Sequence, residues 1–266
     1  MNTVYLNLPF QSCFSVVTDS ERLIEKLSMK YGIYVSHKPA EQTDFILTVK
    51  TIDDEYQIIT PDDTYMTRNP LLEVDRFVFD NNSYSPSIFA LHGGAVEWQG
   101  KCSLFLAPTT SGKTTLTSFL THLGFGYITD DCILLDRSNF CVYPCTTPIQ
   151  LREGGMAVLT KNDVAPQKYN LLDESPVQKR FIYTPSNCVG NPTPLQNIFF
   201  IQLSDRENQL TEMSSVERMT ELMKSPITNY PITSDYLRFI ARLSKVNCFK
   251  LVYKDMNFVK EVIQGG

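Results

Sequence analysis

The chain has little that would tie it to a membrane, to nucleic acid or to an oxidising compartment. No apolar run approaches the roughly 18 residues of a membrane-crossing helix. The N-terminus has neither the basic start nor the long apolar core of a signal peptide. Positive charge is scarce: 24 Lys and Arg face 29 Asp and Glu, and the net charge of −5 argues against general binding of nucleic acid or anionic membrane. The seven cysteines (13, 102, 132, 141, 145, 188, 248) are odd in number, scattered, and form no C-x-x-C pair. Cys141 and Cys145 have a zinc-like spacing, but no second pair or nearby His completes a site. These features read as reduced, mostly buried thiols in a cytoplasmic protein. There is no internal repeat and no low-complexity segment.

What is present is globular. At 266 residues the chain suffices for one large domain or two unequal modules. Its hydrophobic fraction of 42% and charged fraction of 20% exclude extended disorder. Residues 1–85 read as a small α/β module. Stretches 4–8 and 14–17 have strand composition, split by Pro9. Asp19-Ser20 caps a helix with Leu23, Ile24 and Leu27 on one face, ending near Gly32. Stretches 33–35 and 45–49 read as strands, and Asp53-Asp54 turns the chain into 56–59 as a hairpin. Asn69-Pro70 breaks the chain before 71–79, a strand or short helix. Residues 80–86, DNNSYSP, have the composition of a linker.

Residues 86–266 then make a nucleotide-binding domain built around 104–136. The apolar run Leu104-Phe105-Leu106 feeds a small-residue turn and then Gly112-Lys113-Thr114, followed by helical apolar spacing at Leu116, Phe119, Leu120 and Leu123. In the G-x-x-x-x-G-K-[ST] pattern, a tight turn aims backbone N–H groups at phosphate oxygens, helped by the helix N-terminus. The Lys reaches the β- and γ-phosphates, and the next hydroxyl binds Mg²⁺. Lys113 and Thr114 fill those roles, and Pro108, Thr109, Thr110, Ser111, Gly112 and Thr115 complete the nucleotide-binding stretch. Ala107 stands where the pattern has its first Gly, which requires φ below zero at that residue. The bland alternative is an ordinary helix start capped by Ser111.

A glycine-flanked turn at 124–126 leads to Tyr127-Ile128 and the pair Asp130-Asp131. Phosphoryl transfer needs charge neutralisation and a positioned nucleophile more than covalent chemistry. Two carboxylates divide that labour: one holds Mg²⁺, the other orients or deprotonates an acceptor hydroxyl. Adjacent strand residues point to opposite faces, so both reach one site only from a strand edge or turn. Spacing leaves open which carboxylate does which. A solvated turn is the alternative reading of the pair.

The stretch Leu91-His92-Gly93-Gly94-Ala95-Val96, then Gly112-Lys113-Thr114, then Tyr127-Ile128-Thr129-Asp130-Asp131, resembles the HPr kinase/phosphorylase family. The resemblance covers roughly 89–148, less than a quarter of the chain. It implies a P-loop kinase domain of the HPr kinase and phosphoenolpyruvate carboxykinase type with a mixed β-sheet, ATP and Mg²⁺ as cofactors, a serine hydroxyl as acceptor, and homo-oligomeric assembly. It makes His92, Lys113, Asp130 and Asp131 the catalytic set, with Thr114, Asp130 and Asp131 on the metal. Ala107, Thr115 in place of an acidic residue, and the lack of the family's glycine-rich C-terminal segment point away from HPr itself. The sequence is most similar to the small HPr-kinase-like proteins of ribosomal-peptide biosynthesis, some of which phosphorylate a serine on a lasso-peptide precursor. A peptide or small protein carrying serine is the expected partner. Free serine, or a regulatory protein that binds nucleotide without turnover, are the alternatives, with an NTP hydrolase further behind.

The remainder is poorer in chemistry. Arg152 and Arg180, with Lys168 and Lys179, are the cations expected to meet phosphate or an anionic substrate; Arg180 is preferred because it precedes the apolar run Phe181-Ile182-Tyr183. Residues 154–177 read as irregular with a helix near 155–159. A strand at 195–203, helices at 214–223 and 234–246, a strand at 248–253 and a helix at 255–263 follow. His37 and His122 carry no functional signal.

Overall fold

Alternating apolar positions set the first strands. β1 (Asn2–Leu6) and β2 (Cys13–Thr18) pair antiparallel and bury Val4, Leu6, Phe14 and Val16. α1 (Glu21–Tyr31) starts on Ser20, whose hydroxyl accepts from the Leu23 N–H, and buries Leu23, Leu27 and Tyr31. The strand expected at 33–35 is instead a 3₁₀ turn, Gly32–Tyr34, followed by the short β3 (Val35–Ser36) against β1. Ile33, 77% exposed, has no apolar face to cover and so no reason to join a sheet. β4 (Thr43–Ile52), β5 (Glu55–Ile59) and β6 (Thr64–Thr67) complete a six-stranded sheet, order β3-β1-β2-β4-β5-β6, in which β2 and β4 run parallel. Residues 71–79 are helical: α2 (Pro70–Asp80) has Pro at its first turn and Asn69 as its cap. The computed structural model describes the chain except residues 11–12, 40–42, 82–83, 176–177, 228–229 and 266; at 44, 173–175 and 178 it describes the backbone alone. Part of the linker expected at 80–86 and the end of the irregular stretch at 154–177 thus fall outside the described residues.

β7 (Ile88–Trp98) and β8 (Lys101–Leu106) form a hairpin. α3 (Lys113–His122), β9 (Gly126–Thr129), β10 (Cys132–Asp136) and β11 (Cys141–Tyr143) follow. Next come β12 (Ile149–Arg152), α4 (Glu153–Lys161), β13 (Asn170–Ser175) and β14 (Gln178–Tyr183). The helix expected near 155–159 is α4, and the rest of the stretch read as irregular holds the strand β13. β12, β14 and β13 make a three-stranded antiparallel sheet. The chain closes with β15 (Thr193–Leu203), β16 (Gln209–Glu212), α5 (Ser215–Lys224), α6 (Ser234–Leu243), β17 (Asn247–Tyr253) and α7 (Met256–Gly265).

Two compact units result. The first comprises Met1–Ser85, Thr147–Glu153 and Gln167–Thr184; the second comprises Pro86–Thr146, Gly154–Pro166 and Pro185–Gly266. The core of the first unit gathers Leu6, Phe14, Leu27, Leu47, Val74 and Phe77, together with Leu172 and Ile182 from β13 and β14. The second unit holds a mixed sheet, order β11-β10-β7-β8-β15-β17-β16, with β9 also on β7. β8, β15 and β17 run parallel, and their apolar runs are buried as parallel strands require. Phe105, Phe199 and Phe249 lie in register across them, with ring centroids 6.1 and 5.7 Å apart. β11 pairs with β15 as well as β10, so β11, β10, β7, β8 and β15 close into a ring. Among the described residues no helix is long and apolar enough to cross a membrane.

Two glycines let β7 lie close to its neighbours. A Cβ on Gly93 would stand 2.6 Å from the Phe105 carbonyl oxygen and 2.7 Å from Ile133 Cδ1, and one on Gly94 would run into the Thr117 hydroxyl of α3. Gly93→Ala should destabilise the protein by about 1–3 kcal/mol, read as a lower midpoint in thermal or urea unfolding; an unchanged midpoint would show that the strands yield freely.

Candidate functional site

β8 ends at Leu106 and α3 begins at Lys113, so residues 107–112 form the turn between a buried strand and a helix. Gly112 is the cap residue, at φ 88° and ψ 9°, and no side chain caps the helix. Ser111 therefore does not play the capping part that the bland reading gave it. The first turn keeps its orphan N–H groups pointed out of the helix end, where the helix dipole favours an anion. Left-handed backbone falls at Gly112 and at Thr110, φ 69°, and not at Ala107. Alanine at the first loop position is thus free of strain, while Thr110 carries some.

Lys113 is only 6% exposed. Its Nζ arches back over the loop and donates to the carbonyls of Ala107 (2.9 Å) and Pro108 (3.0 Å). Burial lowers its pKa, against the opposing pull of Asp130 and Asp131. Pro108, Thr109 and Thr110 are exposed along the turn, and Thr114 and Thr115 are half-buried in the first turn of the helix.

The two carboxylates occupy the bend between β9 and β10, which frees them from strand alternation. They part company in environment: Asp130 is 3% exposed, and Asp131 is open to solvent. Asp130 Oδ1 is buried without a hydrogen-bond partner. Burial pushes the Asp130 pKa well up, the Asp131 charge adds to this, and a Thr114 hydrogen bond and Lys113 work against it. The Asp131 carbonyl is held twice from β7, by the Gly93 N–H (3.3 Å) and by His92 Nδ1 (3.2 Å). Because a carbonyl only accepts, Nδ1 carries the proton and Nε2 holds the lone pair. Burial and Lys113 lower the His92 pKa, outweighing Asp131, so the ring is neutral at pH 7.

Lys113, Thr114, Asp130, Asp131 and His92 are thus one constellation. Arg152 and Arg180 are directly opposed cross-strand residues of β12 and β14 in the first unit. Lys168 and Lys179 are exposed residues of that unit. His122 bonds the Ser118 carbonyl of its own helix, a packing role.

One residue near the loop escaped the sequence reading. Tyr253 ends β17, buried, with its hydroxyl 3.2 Å from where a Cβ on Gly112 would stand. Burial raises its pKa to about 12, so it stays a neutral donor. The only signal was a polar-tipped aromatic closing an apolar run; it becomes meaningful once β17 is known to run parallel to β15 and β8.

The donor set suits one kind of cation. No group of three or more His, Cys, Asp and Glu lies together among the described residues, which rules against a protein-built cage there. An unpartnered buried Asp130 oxygen beside the Thr114 hydroxyl fits a hard ion such as Mg²⁺, which takes one or two carboxylates and completes its shell with phosphate and water.

No protein-family model matches the sequence, and no curated protein does. Among solved structures, the fold is distantly similar to that of the Hpr(Ser) kinase/phosphatase from Coxiella burnetii. The TM-score is 0.34, with 10% sequence identity, over 66% of this chain and 88% of that one.

The raised Asp130 pKa makes a signed prediction. A carboxyl whose folded pKa exceeds its unfolded value, about 4, favours the fold below that value and loses this favour as pH rises through the folded pKa. In nucleotide-free, chelator-treated protein, Asp130→Asn should therefore melt higher than wild type at pH 7.5, with the gap closing near pH 4. A gap that is flat with pH would mean Asp130 is not held against its charge.

Proposed function

We propose that the second unit is an ATP- and Mg²⁺-dependent kinase that transfers the γ-phosphate to a serine hydroxyl on a peptide or small protein. The observation that carries this reading is the buried, unpartnered Asp130 oxygen set beside Thr114 and Lys113, at the start of a helix that no side chain caps. The choice of serine, and of a lasso-type precursor peptide as the first acceptor to try, rests on the sequence resemblance around His92, Lys113 and Asp130-Asp131.

Each residue has a part. The loop backbone and the α3 N-terminus bind the phosphates, and Lys113 exchanges its two carbonyl acceptors for β- and γ-oxygens. Thr114 and Asp130 hold Mg²⁺, which supplies charge neutralisation on the transferring group. Asp131, exposed, accepts the serine Oγ proton as Oγ bonds to the γ-phosphorus and the bridging β–γ bond breaks, its electron pair leaving with ADP. His92 is a positioning residue: through the Asp131 carbonyl it fixes how that carboxylate is presented.

Mass spectrometry of the protein with Mg-ATP and serine-bearing acceptors (free serine, HPr, precursor peptides encoded beside the gene) tests this. One acceptor should gain about 80 Da, a phosphoryl group, and Lys113→Ala should abolish the gain. Asp131→Asn should lower kcat by about 10²–10⁴-fold with ATP binding retained, whereas Asp130→Asn should weaken Mg-dependent ATP binding. ATP binding without transfer to any hydroxyl would favour a regulatory nucleotide-binding protein, and a gain on free serine alone a metabolic kinase.

A further inference from the structure

β10 and β11 pair Leu134 with Tyr143 and Leu135 with Val142. β11 ends at Tyr143, and two residues on, Cys145 lies beside Cys132, the first residue of β10. The Cys145 thiol is hydrogen-bonded to Cys132. The Cys145 N–H donates to the Ile128 carbonyl at 3.0 Å, anchoring this residue against β9, the strand that leads into Asp130. Thiols in hydrogen-bond contact have their sulfurs side by side, and a disulfide between them accommodates Cα separations of about 4.4–6.8 Å. Neither sulfur is in a disulfide; Cys145 is 3% exposed and Cys132 is partly open to solvent. One thiol is thus reachable and its partner is in place beneath it, immediately after the two aspartates.

From this geometry we propose that Cys132 and Cys145 are a redox-active dithiol, a site of reversible disulfide formation at the foot of the Asp130-Asp131 bend. Hydrogen peroxide is an adequate oxidant. The Cys132 sulfur attacks a peroxide oxygen, the O–O bond breaks, and the departing hydroxide takes up the thiol proton, giving a sulfenic acid and water. The Cys145 sulfur then attacks the Cys132 sulfur, the S–S bond forms, the S–O bond breaks and water leaves. In sum, two thiols and one peroxide give one disulfide and two waters, and a dithiol reductant reverses the bridge. The bridge ties the residue after Asp131 to a segment bound to β9, so the bend loses its freedom to adjust. On the kinase reading, on which this consequence rests, the oxidised protein transfers phosphate more slowly than the reduced one.

The full chain is treated with hydrogen peroxide, alkylated and mapped by peptide mass spectrometry, then reduced with dithiothreitol and mapped again. The expected result is a Cys132–Cys145 peptide pair lighter by about 2 Da, two hydrogens, lost on reduction. It should be absent in Cys132→Ser and in Cys145→Ser, and present in Cys141→Ser and Cys188→Ser. Alkylation of both thiols after oxidation, or bridges only to Cys141 or Cys188, overturns the dithiol. A bridge that leaves the transfer rate unchanged overturns its coupling to the site. The bridge is read by mass, so a reduced protein that transfers nothing counts against the kinase reading and leaves the dithiol standing on its own result.

Discussion

A carboxyl group buried with one oxygen unpartnered is costly, by roughly 1–3 kcal/mol or more when charged, and Asp130 is such a group. Its position persists because the surroundings over-determine it. Thr129, just before it, is pinned opposite Ala95 by the β9–β7 pairing, and Cys132 opposite His92 by β10–β7. Both flanks of the bend thus hang from one strand, β7, and Gly93 and His92 of that same strand hold the Asp131 carbonyl between them. β7 itself is locked by its hairpin with β8, by the ring of strands and by the phenylalanine ladder behind it. Strain kept at a site and supported by a dry core is a common arrangement where chemistry needs a group out of its resting state.

The charges around Asp130 are arranged to offset one another without being quenched. Lys113 is attracted by both aspartates but is partly desolvated, and its proton donors are spent on two backbone carbonyls. His92 stays neutral because burial and the nearby ammonium outweigh Asp131. The first turn of α3 therefore faces a site with a movable cation, a neutral imidazole and a carboxyl reluctant to ionise. On the kinase reading proposed above, such a site would receive a polyanion and the divalent ion that accompanies it.

Much of this was legible because it is local. A strand, a small-residue turn, Gly-Lys-Thr and a helix follow one another within 104–123, and a paired Asp after a glycine turn needs no partner to be noticed. A cap behaved likewise: Ser20, read as part of a helix start, caps α1. What was hidden depends on pairing across long stretches of chain. The apolar run Phe181-Ile182-Tyr183 reads as strand, but nothing in it says that β14 joins β12 and β13 and lends Ile182 to the first unit's core. Asp130 and Asp131 are indistinguishable in sequence; the bend alone turns one inward and leaves the other in water. Tyr253 reaches the loop only because β17 lies one strand beyond β15.

The first unit borrows its last core residues from far down the chain, and this bears on how the protein is made. When residue 85 leaves the ribosome, the sheet β3-β1-β2-β4-β5-β6 exists as sequence, yet Leu172 and Ile182, fully or almost fully buried against it, have not been synthesised. At a translation rate of about 5–20 residues per second, the emerging segment spends seconds with part of its apolar surface uncovered. Synthesis of the whole loop-bearing segment up to β11 intervenes before the missing strands arrive. The N-terminal unit is therefore begun first and finished late, and its folding is tied to the elongation of the unit that follows it in sequence.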